Sequence, residues 1–230
     1  MNRNLRGLLA CLVFGLSTSM AHAVTVTTFN FQGTITSYFT DLPSDPFGGT
    51  IAVGDTVTGY YTFDLDETDL EPGTGIGSYL WLGATPLGAH AEINGNSFDY
   101  ENLLIQVYNN CGSGTPDPTT GCGPISPLDY YEVTGGHSVS SDVIDSVSLQ
   151  YTDNTATALS NDSLLNAPPS LGDFDQAVGQ ILYEEIGVFG NTTDYSIGFN
   201  LTAVPVPAAL PLLLSGIAGL GLISRKRKAA

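Results

Sequence analysis

The sequence predicts a mainly β protein, an antiparallel β-sandwich of jelly-roll type between an N-terminal signal peptide and a C-terminal transmembrane helix. Three observations lead there. In the middle of the chain apolar residues alternate with polar ones instead of recurring at helical spacing. Clusters such as Pro43-Ser44-Asp45-Pro46 and Glu71-Pro72-Gly73 punctuate those runs as turns. The two ends are apolar, and every basic residue of the chain lies beside one of them.

The first element is Met1–Ala23. Arg3 and Arg6 precede an apolar stretch from Gly7 to Leu16, polar Ser17–Ser19 follow, and Ala21-His22-Ala23 forms an A-x-A cleavage site. The mature chain then begins at Val24. The apolar run is shorter than the roughly 20 residues a bilayer requires. A lipoprotein reading of Leu8-Leu9-Ala10-Cys11 fits less well, because Cys11 sits inside the apolar run rather than after it.

Residues 24–202 make one domain. Val24, Val26 and Thr28 share one face of a first strand, with Phe29 and Phe31 on the other. Val57, Gly59, Tyr61, Phe63 and Leu65 share a face of a second. Asn94-Gly95, between Ala89–Ile93 and Ser97–Tyr100, is a two-residue hairpin signal. Val147, Leu149 and Tyr151, and later Tyr195, Ile197, Phe199 and Leu201, alternate with polar or small partners. One stretch departs from this pattern. Phe174, Ala177, Val178, Ile181 and Leu182 fit helical spacing, with Asp173 as a cap. The other reading is a helical turn over Leu171–Gln176 followed by a strand from Gln180 to Glu185.

Residues 203–230 close the chain. Ala208–Ser224 carries no charge and reaches about 26 Å as a helix at about 1.5 Å per residue, the low end for a spanning segment. Arg225, Lys226, Arg227 and Lys228 follow at once and stay on the cytoplasmic side by the positive-inside rule, with the acidic domain outside.

Charge excludes whole classes of function. The chain has 6 Lys+Arg and 23 Asp+Glu, a formal net charge of −17. Between Gly7 and Ser224 there is no Lys or Arg, and that interval carries every carboxylate. Sequence-independent nucleic-acid binding needs basic side chains on phosphates. Phosphate cofactors are disfavoured for the same reason.

The C-terminal order is specific. Val204-Pro205-Val206-Pro207-Ala208, then an apolar helix with Ser215-Gly216 and Gly219-Leu220-Gly221, then the basic cluster, resembles a PEP-CTERM sorting signal of the VPLPA type. The sequence departs from the common form at Val206, where Leu is usual, and at Leu210-Pro211, where an aromatic often stands. The resemblance implies recognition by an exosortase-like membrane enzyme, cutting near the proline motif, and release or attachment at the cell surface. It implies a Gram-negative bacterium that makes exopolysaccharide and biofilm. Over the domain itself the likeness rests on shorter stretches: Gly54–Gly59, Phe63-Asp64 and Asp153–Leu165 are similar to β-sandwich domains among such exported substrates.

Within the domain, Cys111 and Cys122 form an even pair in an exported chain and are expected to be disulfide-bonded. Asp64, Asp66, Glu67 and Asp69 crowd after a predicted strand, and a Ca²⁺ ion with oxygen ligands would relieve their repulsion. The full EF-hand spacing is missing, so a solvated acidic loop is the competing reading. Asp153, Asn154 and Asp162 are a weaker set.

Nucleophile-elbow, zinc-protease and Walker signatures are absent. His90 and His137 read as structural or exposed. A glycosidase needs two placed carboxylates, and no pair, Glu184 and Glu185 included, is marked by spacing. Trp81, Tyr60, Tyr130 and Tyr131 are candidates to stack on sugars, though aromatic residues more often serve a core.

The expectation is therefore an exported, non-catalytic surface or matrix protein without cofactor, held transiently in the inner membrane. Its partners would be the sorting enzyme and, in the matrix, polysaccharide. The alternatives are a polysaccharide-active enzyme, hydrolase or lyase, on the same scaffold, and a calcium-dependent adhesin.

Overall fold

The computed structural model describes residues 25–42, 44–72, 75–83, 85–113, 125–137, 143–187 and 190–204. The signal peptide, Val24, Pro205–Ala208, the expected spanning helix, the basic tail and Cys122 lie outside the described residues.

Ten strands form in chain order: β1 (Val26–Thr40), β2 (Thr56–Asp64), β3 (Ile76–Trp81), β4 (Gly88–Ile93), β5 (Asn96–Tyr100), β6 (Asn102–Ser113), β7 (Ile125–Gly136), β8 (Val143–Asp153), β9 (Gln176–Gly187) and β10 (Gly190–Thr202). All belong to one antiparallel sheet, in the order β3-β6-β7-β8-β9-β10-β1-β2-β4-β5. Where the sequence led to two stacked sheets of jelly-roll type, the strands instead join into one open, curled sheet. The run β6 to β10 is a meander that returns beside β1, and β3 crosses to the far edge to pair with β6. The curl brings β4 onto β6 and β7, so the flanks face each other over a common core. Long strands make this possible. β1 has 15 residues and β10 has 13, and register shifts at Ile35/Ser37 and Thr193/Tyr195 add the local twist that bulges supply.

The alternation read from the sequence is what buries the core. Val57, Tyr61 and Phe63 of β2 are buried, as are Val147, Leu149 and Tyr151 of β8 and Ile197 and Phe199 of β10. In β1 the inner face is Phe29, Phe31 and Ile35, while Val26 is 45% exposed. The Asn94-Gly95 hairpin forms between β4 and β5, with φ of 49° and 84°, both positive as a type I′ turn requires.

Of the two readings open for 174–185, the strand is the one that forms. Among the described residues there is no helix, and Gln176–Gly187 is strand β9. The strand begins at Gln176 rather than Gln180, and turns occupy 171–173. Gly179 is the reason. It faces Phe199 across the β9–β10 ladder, and a Cβ there would overlap the Phe199 ring. The ring lies over the bare backbone and fixes the strand pairing.

The edges are β3 and β5. The outer side of β3 is covered by its own chain: Ser78 N donates to Asp69 Oδ1 at 2.9 Å and Leu70 N donates to Ser78 O at 2.9 Å. That caps an edge otherwise open to pairing. The loop from Asn154 to Asp175 reaches from β8 to β3, where Tyr79 Oη donates to Asp162 O at 3.1 Å, and returns to β9. Leu159 anchors it in the core.

Candidate functional site

The feature best placed to act is a notch at one end of the sheet. β1 pairs with β2 along Val26–Thr34 but with β10 only from Gln32 to Thr40. β10 stops opposite Gln32, and the sequence explains why. Pro205 and Pro207 lack the N–H that a ladder needs. Among the described residues nothing pairs with the N-terminal half of β1 on that side. β10 runs toward the end where β1 begins but stops facing Gln32, about 20 Å along β1 from Val26.

A cavity of about 550 Å³ occupies the notch. Phe31, Tyr61 and Tyr151 form its floor, and Pro168, Pro169 and Leu171 of the long loop form one wall. Leu201–Val204 form another. Asn30, Gln32, Ser170 and Thr202 stand at the rim. Among the described residues no carboxylate, histidine or basic residue lines it. Below the floor the side chains of Tyr61 and Tyr131 are fully buried, and burial raises the pKa of both above the usual tyrosine range.

The acidic run after β2 does not gather into a metal site. Asp64 Oδ1 accepts from Thr25 N at 3.1 Å and from Asp66 N at 3.0 Å. Asp66 Oδ2 accepts from Thr25 Oγ1 at 2.7 Å. Glu67 Oε1 accepts from Thr68 N, and Asp69 Oδ1 from Glu71 N and Ser78 N. Each carboxylate satisfies nearby donors instead of converging on a common point. Among the described residues no group of three or more His, Cys, Asp or Glu side chains could hold a metal ion.

Two other carboxylates carry structural weight, and the sequence reading missed one of them. Asp129 of β7 and Asp153 of β8 are register partners and both are buried. Asp129 accepts from Asn110 N at 2.8 Å and from Leu159 N at 2.7 Å, tying the bulge of β6 to the long loop. Asp153 accepts from Thr155 N and Oγ1, Thr157 N and Ala158 N. The Thr155 hydroxyl and then these amides hold its carboxyl far below the usual range. The Asp-x-Thr-x-Thr spacing, a loop-initiating pattern, was the available sequence signal. Asp145 is different. Burial raises its pKa, and Tyr100 Oη lies beside it without closing a hydrogen bond.

The remaining candidates separate by burial. Trp81 and Tyr131 are core, 3% and 0% exposed, and cannot stack on a sugar. Tyr60 is exposed and lies on the ring of His90 at 5.0 Å, and His90 Nδ1 meets Asp99 Oδ1 at 2.7 Å. Tyr130 is half-buried against Tyr108. Glu184 is half-buried on β9, and His137 is exposed at the end of β7. Cys111 is buried in β6. Comparison with family models, curated proteins and solved structures finds no match to this chain.

Proposed function

We propose that this is an exported, non-catalytic protein of the cell surface or extracellular matrix, sorted through its C-terminal segment by an exosortase-like membrane enzyme. The observation that carries the reading is the common exit of the two targeting segments. β1 and β10 are antiparallel, so the chain enters β1 from, and leaves β10 toward, the same side of the sheet, the arrangement expected if a signal peptide before Val26 and an apolar helix after Val204 serve one membrane. The last strand ends at Thr202 and the Val204–Ala208 motif follows immediately, so cutting there frees the whole domain. The start of the chain agrees. Asp64 and Asp66 hold Thr25, so the fold is anchored from the second residue of a chain cut after Ala23.

The cavity supports a binding rather than a catalytic role, since its lining supplies no acid–base pair. The facing flanks of the curled sheet serve as a sandwich-like scaffold, and the Cys111–Cys122 bond would close the loop between β6 and β7. In this reading the long polar surface meets the matrix, including its polysaccharide, while the notch end faces the membrane.

Mass spectrometry of the intact exported protein tests the sorting claim. The expected product starts at Val24 and ends between Pro205 and Ala208. An exported protein that retains Ala230 overturns the reading.

A further inference from the structure

We infer that the notch cavity is a binding site for an uncharged, lipid-like molecule: an apolar chain with one polar, non-ionised end, such as a long-chain alcohol or monoacylglycerol. The volume of about 550 Å³ lies in the range of small-molecule sites, which are mostly apolar with a few placed polar groups. The lining has this composition. Aromatic and aliphatic groups, among them Phe31, Tyr151, Pro169 and Leu201, supply the body of the site. At the rim, the side chains of Asn30, Gln32 and Ser170 make no hydrogen bond among the described residues, so amide and hydroxyl partners stand open at its mouth.

Charge decides the headgroup. A fatty-acid carboxylate or a phosphate entering the cavity meets no cation among the described residues that line it, and from Gly7 to Ser224 the chain has only carboxylates and three histidines to offer. Moving an anion into such a place without a partner is strongly unfavourable. A saccharide fits less well than an apolar chain, because the walls are proline and leucine and only the few polar side chains at the rim could meet its many hydroxyls. The end of β10 opposite Gln32 builds the opening, and the Pro168-Pro169 loop closes it from the side. Sorting plays no part in this argument, so the site stands or falls separately from the proposed function.

The test uses the full chain in phospholipid nanodiscs with a diazirine-bearing dodecanol, photolysis, and mapping of the labelled peptides. Label is expected at Pro168–Gly172 and Thr202–Val204, with competition by unlabelled dodecanol and not by a neutral oligosaccharide. Dodecanoic acid bearing the same diazirine is expected to label these peptides about tenfold less, the factor that ~1.4 kcal/mol represents. Ala203→Trp, an exposed position in the wall, fills the space without touching the core and should remove the label from these peptides, while any label on 208–224 stays as an internal control. Ser170→Lys adds a cation at the rim and should raise labelling by the acid. Equal labelling by acid and alcohol, displacement by the oligosaccharide, or labelling that survives Ala203→Trp would each overturn the inference, as would no label at these peptides.

Discussion

Asp129 and Asp153 face each other across β7 and β8, and each ends a different set of stray backbone donors. Two buried carboxylates side by side persist because neither is asked to hold its charge alone. A carboxylate that accepts several N–H bonds is stabilised in its ionised form. Asp129→Asn replaces one acceptor by an amide N–H that points at another donor. The expected loss is about 2–3 kcal/mol in urea unfolding, and a loss under half of that would show that Leu159 N or Asn110 N finds another acceptor. Asp153 sets the acid limb. Its folded pKa is depressed by the Thr155 hydroxyl and the Thr157 and Thr155 amides, against about 3.9 unfolded. The contribution is therefore present above about pH 4 and disappears as pH falls toward the folded value. Asp153→Asn should lower the melting temperature at pH 7 and flatten its fall below about pH 4. A variant with the same acid slope as the parent would remove Asp153 as its source.

At the scale of elements, the inner face between β9 and β2 is organised by rings laid over glycines. Phe31 covers Gly59, Phe199 covers Gly179, and the two rings stack at 6.3 Å with planes 10° apart. Gly179→Ala forces its methyl into the Phe199 ring and is expected to cost about 1–3 kcal/mol. Phe199→Leu removes the obstacle, so the double variant should be less destabilised than the separate effects predict, with a coupling of about 0.5–3 kcal/mol in thermal unfolding. Strict additivity would mean that the ring moves aside freely. The same pair shows what was legible in sequence. Alternation in β2, β8 and β10 and the Asn94-Gly95 turn were readable because they are local. Residues 174–182 were ambiguous because their spacing satisfies a helix, and the ring that decides for strand sits 20 positions away at Phe199. Strand order was hidden for the same reason, since β3–β6 and β10–β1 pairings join distant segments. The notch was hidden too. It exists because β2 pairs Val26–Thr34 of β1 while β10 pairs only Gln32–Thr40.

At the scale of the whole molecule the charge has no internal balance. From Val24 to Val204, His90 and His137 are the only side chains able to carry positive charge, against 23 carboxylates. His90 Nδ1 against Asp99 Oδ1, at 2.7 Å, is the contact among the described residues that brings a titratable nitrogen to a carboxylate. Local donors satisfy Asp64, Asp66, Glu67 and Asp69 geometrically, but backbone amides do not cancel a net field. Self-repulsion of that field opposes the compact state. Its range is set by salt, about 30 Å at 0.01 M and about 8 Å at 0.15 M. The melting temperature should therefore rise as NaCl is raised across that interval. The metal question then becomes a comparison at fixed ionic strength. If the acidic run is only a set of caps, CaCl₂ and NaCl of equal ionic strength shift the midpoint alike. If the run closes on calcium, millimolar CaCl₂ adds stability beyond screening, about 2.7 kcal/mol when the ion is present at 100 times its dissociation constant. Because each of the four carboxylates is already committed to a nearby donor, a bound ion would have to displace those bonds, and the expected result is the matched shift.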